Sequence, residues 1–224
     1  MLHILFAILS LWPAGEPIKK GKATKCTTYL ALGDSYTIGE GVAIHESFPY
    51  QLVQRLRGRG LAFCAPEIVA KTGWTTDELK AGIERTRFLD GRYDLVTLLI
   101  GVNNQYRGRK PDVYAAEFEG LLREAVARAG GDKKRVIVIS IPDWGVTPFA
   151  EGRDRRKIAA EIDAFNAVNR RITEAGGIAY VDITPGSRLA SGDPTLLASD
   201  RLHPSGKEYG RWADSVIVRM KAFR

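Results

Sequence analysis

Short apolar runs ending in glycine or polar turns recur along the chain, and longer amphipathic stretches separate them. Thr27 to Leu32 is β-branched and apolar, Pro66 to Lys71 reads PEIVAK, and Tyr93 to Ile100 reads YDLVTLLI. Arg135 to Ile141 (RVIVISI) and Gly177 to Asp182 complete the series. The run at Tyr93 is nearly continuous, as suits a central strand covered on both faces. Between these runs apolar residues recur at helical spacing in Phe48–Arg59, in a segment opening at Thr75 or Thr76, and in Arg155–Ala175. Pro111 to Ala129 adds a long helix whose core stripe is Val113, Phe118, Leu121, Leu122 and Val126. Glu78, close behind Thr75, is N-terminal capping chemistry. A last helix is expected to start at Pro204, with Trp212, Ala213, Val216 and Met220 facing inward. Five strands alternating with helices predict a three-layer α/β/α fold around a doubly wound parallel sheet.

With 224 residues and 45% hydrophobic content, one substantial core is expected, and residues 26–224 read as a single domain. Leu2 to Ala14 is apolar but about half the ~20 residues a spanning helix needs, so no stable membrane insertion is expected. It reads as the apolar region of a secretory signal, followed by a polar linker with Lys19, Lys20, Lys22 and Lys25. Residues 1–25 are therefore taken as a leader, and the protein as secreted or periplasmic. The lack of a basic n-region and of an Ala-x-Ala site leaves a misplaced start codon, and a cytoplasmic protein, as the alternative. The formal net charge is +7, from 33 basic and 26 acidic residues. Arg85, Arg87, Lys133, Lys134, Arg153, Arg155 and Arg156 fall in short clusters mixed with acids. These read as solvated helix faces rather than a nucleic-acid groove.

Chemistry concentrates where the first run ends, at Gly33-Asp34-Ser35. A serine just past the carboxyl end of a strand, with glycine to permit the bend, stands in the crevice where open parallel sheets bind ligands. Such a hydroxyl needs a base, and the base an orienting carboxylate. Among three histidines, His3 lies in the apolar leader and His45 in a glycine-rich loop without a suitable carboxylate, although Glu40 and Glu46 are near in sequence. His203 follows Asp200 by three residues, so one turn can place the carboxylate beside the imidazole. Ser35, His203 and Asp200 form the one complete triad on offer, while Asp34 reads as tying down its own turn. Three scattered histidines and two cysteines make no metal cluster, and no GxGxxG or GxxxxGK[ST] follows any strand.

Gly33-Asp34-Ser35-Tyr36, Gly73 in Lys71-Thr72-Gly73-Trp74-Thr75-Thr76, Gly101-Val102-Asn103-Asn104 and Asp200-Arg201-Leu202-His203 resemble the four consensus blocks of the SGNH hydrolases, the GDSL esterase/lipase superfamily. They occur in the family's order from Gly33 to His203. The resemblance implies a flavodoxin-like strand order 2-1-3-4-5 and a cofactor-free serine hydrolase of carboxylic esters. Ser35 would be nucleophile, His203 general acid/base and Asp200 its orienter. The N–H groups of Ser35 and Gly73 and the side chain of Asn103 would hold the oxyanion. Asn104 stands where the family usually has Asp, which bears on fine tuning. Trp144 and Phe149, carried out of a strand end, are expected at the substrate pocket; Trp74 is either a core cover or a cleft wall. The substrate is expected to be a small ester or an acylated carbohydrate or lipid, with short acyl chains favoured because no long apolar insertion suggests a lid. A thioesterase or acyltransferase on the same triad, and a non-catalytic flavodoxin-like ligand-binding domain, remain the alternatives.

Cys26 precedes Ser35 by the same spacing as Cys64 precedes Gly73. If Ser35 and Gly73 top neighbouring parallel strands, both cysteines lie level at the opposite end, within the ~4.8 Å spacing of adjacent strands that a disulfide tolerates. A Cys26–Cys64 bridge suits an exported protein; a pair of free buried thiols is the alternative.

Overall fold

In the computed structural model, which describes residues 26–88 and 91–220, five parallel strands form one sheet. They are β1 (Tyr29–Gly33), β2 (Glu67–Ala70), β3 (Leu95–Leu99), β4 (Val136–Ile139) and β5 (Ala179–Val181), in the order β2-β1-β3-β4-β5. The helices are α1 (Ser35–Ile38), α2 (Phe48–Gly58), α3 (Thr76–Arg85), α4 (Val102–Tyr106), α5 (Pro111–Arg128), α6 (Arg155–Ala175), α7 (Thr184–Ser187) and α8 (Gly206–Arg219). The order is the one the resemblance implies. The expected leader, residues 1–25, lies outside the described residues. None of the described helices is long and apolar enough to cross a membrane.

Every residue of β1, β3 and β4 is buried, because helices cover both faces of the sheet. α2 packs against α8, and α5 against α6 with α3 beside it. The capping box at α3 forms as its sequence suggests: Glu78 Oε2 accepts from the Thr75 N–H at 2.9 Å. Two expectations need correction. Val113 is 49% exposed, and α5 turns Tyr114, Phe118, Leu121, Leu122 and Ala125 inward. One position of error rotates a side chain by about 100°, enough to carry it off the apolar stripe. Pro204 does not open α8; it bridges antiparallel to Leu197, and Ser205 caps the helix by accepting from the Glu208 N–H. Between β5 and Asp200 the chain forms α7 and two short 3-10 turns, Arg188–Ser191 and Pro194–Leu196.

Cys26 and Cys64 are joined, with Cα atoms 5.3 Å apart. The register differs by one residue from equal spacing: Leu30 pairs with Glu67, where equal spacing wants Ile68. Below β1 the difference grows to two residues: Thr27 bridges Phe63, its N–H donating to Ala62 O at 2.6 Å and its carbonyl accepting from the Cys64 N–H at 2.9 Å. Those bonds set the cysteines side by side at the end of the sheet opposite Ser35.

Candidate active site

β1 delivers Gly33 between β2 and β3, paired with Ala70 on one side and Leu99 on the other. Its φ is not left-handed, so the glycine is needed for room rather than for a bend. A Cβ there would collide with Leu99 O and with the Thr37 side chain, which α1 brings down onto the strand. Asp34 caps α1, Oδ1 accepting from the Tyr36 N–H at 3.0 Å, and its carboxyl is wholly buried. Burial pushes it up to about 7, against the opposing pull of backbone N–H donors. Ser35 is the first residue of α1, and among the described residues its N–H meets no protein acceptor.

His203 Nε2 lies 3.0 Å from Ser35 Oγ, and His203 Nδ1 lies 2.6 Å from Asp200 Oδ2. The second Asp200 oxygen accepts from the N–H groups of Leu202 and His203, each at 2.9 Å. This tight turn puts Arg201 at φ 60°, the one described non-glycine residue in the left-handed region. Burial alone would raise the Asp200 carboxyl; the His203 bond and the two backbone donors outweigh it and hold the group below the usual carboxylate range. An ionised carboxylate accepts only, so His203 Nδ1 carries the proton and Nε2 is left to accept from Ser35. Tyr36 flanks the imidazole, ring centroids 5.3 Å apart. His45 is exposed, and its ring meets no carboxylate among the described residues.

Beyond β3 the chain turns at Gly101, whose φ of 131° and close approach to Ile141 and Tyr114 admit only glycine. The turn starts α4 so that Asn103 Nδ2 donates to Trp74 O at 2.9 Å. That bond uses one of the two amide hydrogens and fixes the plane of the other. The Gly73 N–H likewise meets no protein acceptor among the described residues, and Arg107 Nη2 secures the Gly73 carbonyl at 2.6 Å. Asn104, fully buried, clamps α4 to α3: Oδ1 accepts from the Thr76 N–H at 3.1 Å and Nδ2 donates to Thr76 Oγ1 at 2.6 Å. The pairing needs a donor as well as an acceptor, and an ionised Asp supplies acceptors only.

A cleft of about 190 Å³ opens over these groups, lined by Ser35, Tyr36, Thr72, Gly73, Val102, Asn103, Tyr106, Trp144, Phe149, Leu202 and His203. Trp144 and Phe149 line this cleft. Trp74 does not: its ring lies over Gly82 of α3, partly buried against the core, and it faces the site only through its carbonyl. A larger groove of about 500 Å³ between α5 and α6 holds none of these residues. Three contributors went unrecognised in the sequence. Tyr106 lines the cleft, one turn beyond Asn103 on α4. Gln105 accepts from Trp144 Nε1 at 2.8 Å and donates to Glu161 at 2.7 Å, anchoring that wall to α6. Arg153 lies against the rings of Tyr106, Trp144 and Phe149. No group of His, Cys, Asp and Glu placed to hold a metal ion occurs among the described residues.

The model of the GDSL-like lipase/acylhydrolase family matches residues 31–211. No curated protein matches the sequence significantly. Among solved structures, TesA is 20% identical with a TM-score of 0.66, the match covering 88% of this chain and 100% of that one. A lipase/acylhydrolase from Enterococcus faecalis is 19% identical (TM-score 0.66, 88% and 96% covered). Axe2, an acetylxylan esterase from Geobacillus stearothermophilus, is 20% identical (TM-score 0.64, 87% and 94% covered). At such identities the structures share the fold, while the family model covers most of the chain. This chain belongs to the GDSL-like lipase/acylhydrolase family of hydrolases.

Proposed function

We propose that the protein is a serine esterase of short-acyl carboxylic esters working through an acyl-enzyme. The observation that carries this reading is the unbroken line Ser35 Oγ, His203 Nε2, His203 Nδ1, Asp200 Oδ2, with steps of 3.0 and 2.6 Å, at the floor of the cleft. In the proposed mechanism Ser35 attacks the ester carbonyl while His203 takes its proton. The same proton then goes to the departing alkoxide, and water repeats the cycle on the acyl-enzyme. Asp200, held ionised, keeps the imidazole in the required tautomer and stabilises its cationic form. The N–H groups of Ser35 and Gly73 and the second Asn103 amide hydrogen receive the oxyanion; each such donor contributes on the order of 3 kcal/mol to the barrier reduction.

The cleft is smaller than the ~300–1,000 Å³ of sites that enclose drug-sized ligands, which favours an acetyl-to-butyryl chain over a long one. A fold neighbour described as an acetylxylan esterase accords with that size by analogy. Family membership favours hydrolytic chemistry over a non-catalytic ligand-binding module, and the reading needs no cofactor. The Cys26–Cys64 bridge favours an oxidising compartment, hence export. A series of p-nitrophenyl esters from acetate to palmitate tests the reading, with acyl thioesters and competing alcohol acceptors alongside. Turnover greatest at acetate or butyrate is expected. Preference for palmitate or for thioesters, or acyl transfer that outruns hydrolysis, overturns the corresponding part.

A further inference from the structure

One wall of the cleft carries a cation that no carboxylate of the described chain neutralises. Tyr106, Trp144 and Phe149 form a closed triangle, with ring centroids 5.4, 6.3 and 5.9 Å apart. The Arg153 guanidinium carbon lies 5.1, 5.3 and 5.5 Å from the Tyr106, Trp144 and Phe149 centroids, and Nη2 bonds the Tyr106 hydroxyl at 3.1 Å. A guanidinium within ~6 Å of an aromatic centroid is attracted by the ring quadrupole, and three rings fix its position. Its neighbours at the rim are otherwise engaged. Arg107 bonds Glu78 and the Gly73 carbonyl, Arg155 the carbonyls of Val146 and Thr147, and Arg188 the carboxylates of Asp143 and Asp163. Asp154, next to Arg153 in sequence, turns its carboxylate to the Lys157 N–H.

Tyr106 and Phe149 are 45% and 43% exposed, a paired apolar surface at the mouth of the site. Tyr106 is one turn beyond Asn103, about 4.5 Å along α4, so the ring that holds Arg153 follows the Asn103 amide along the cleft wall. We propose that Arg153 is a specificity-determining residue: the site takes esters whose acyl or alcohol part carries a carboxylate that reaches past the reacting carbonyl to this guanidinium. The aromatic shelf covers the linker between the two groups, and the free edge of the guanidinium fork receives both carboxylate oxygens. This rests on the esterase reading above and adds the substrate's charge to it.

The test uses two matched pairs. 4-Acetoxybenzoate against 4-acetoxybenzamide places the charge on the alcohol side; p-nitrophenyl glutarate against its methyl ester places it on the acyl side. In one pair the anion is preferred by about fivefold or more in kcat/KM at low salt, mainly through KM, and high salt erodes the preference. Arg153→Gln brings the ratio to about one, and Arg153→Lys keeps part of it. No preference in either pair, or one that survives Arg153→Gln, overturns the proposal. The same pairs are titrated calorimetrically into Ser35→Ala protein, which reads the charge preference without turnover. Failure to hydrolyse any ester thus sinks the esterase reading, and equal binding of charged and neutral partners sinks this one.

Discussion

Gly41→Ala perturbs the Asp200–His203 pair without replacing either residue. Gly41 has φ +80°, and a Cβ there would stand 2.9 Å from Asp200 Oδ2 and 3.0 Å from Ala198 Cβ. Alanine in a left-handed conformation costs about 1–2 kcal/mol, which for a domain of this size lowers Tm by roughly 2–8 °C. The contact adds a second effect. Ordinary contact is ~3.5 Å, so the carboxylate must move by about half an ångström, and it is held by His203 and two backbone N–H groups. Misplacement by 1 Å in such a relay costs on the order of 10²-fold, so about a tenfold loss of kcat on p-nitrophenyl acetate is expected. Gly60→Ala is the control, because Gly60 has φ +83° and nothing within 4 Å of its Cβ site. Both variants should lose similar Tm, and Gly41→Ala alone should lose activity. Full activity in Gly41→Ala, or an equal loss in both, refutes the reasoning that Asp200 is fixed by this packing.

Asn103→Ala should lower kcat by about 10²- to 10³-fold with little change in KM, since an oxyanion donor acts on charge that develops in the transition state; a KM effect alone contradicts that role. Cys26→Ser opens a cross-link of 38 residues and should cost about 4 kcal/mol, roughly 10 °C in Tm, at unchanged kcat; a loss under about 2 °C contradicts a stabilising bridge. Asp34→Asn tests the buried carboxyl whose value rises from 3.8 to about 7 on folding. Between those values the folded state holds a proton that the unfolded state releases, so Asp34 lowers stability progressively as pH rises from about 4 to 7. The variant should therefore gain on wild type between pH 5 and pH 8 in urea midpoints, and an unchanged gap contradicts the shift.

The strands were legible because continuous apolar runs such as Leu95 to Leu99 have one economical use, a sheet covered on both faces. Their ends were not, since Thr27 and Ile141 are as apolar in context as the paired residues and only partner register excludes them. Ser35, Asp200 and His203 could be singled out because the chain has three histidines and only His203 follows an Asp by three residues. Trp74 stayed open between two readings, since a large aromatic beside a candidate donor fits a cleft or a core equally well; its packing over Gly82 on α3 places it against the core. Tyr106 had a usable sign, its place one turn after Asn103. Arg153 had none, because its partners lie on α4 and in the Trp144–Ala150 segment and meet only in three dimensions.

Most direct for the central claim is mass spectrometry after reaction with a p-nitrophenyl alkylphosphonate, which traps a nucleophilic serine as a stable phosphonyl ester. The account predicts a single adduct, on the peptide carrying Ser35, that forms far more slowly in His203→Ala and is absent from Ser35→Ala. An adduct on another residue with Ser35 unmodified, or equal labelling rates in wild type and His203→Ala, contradicts it.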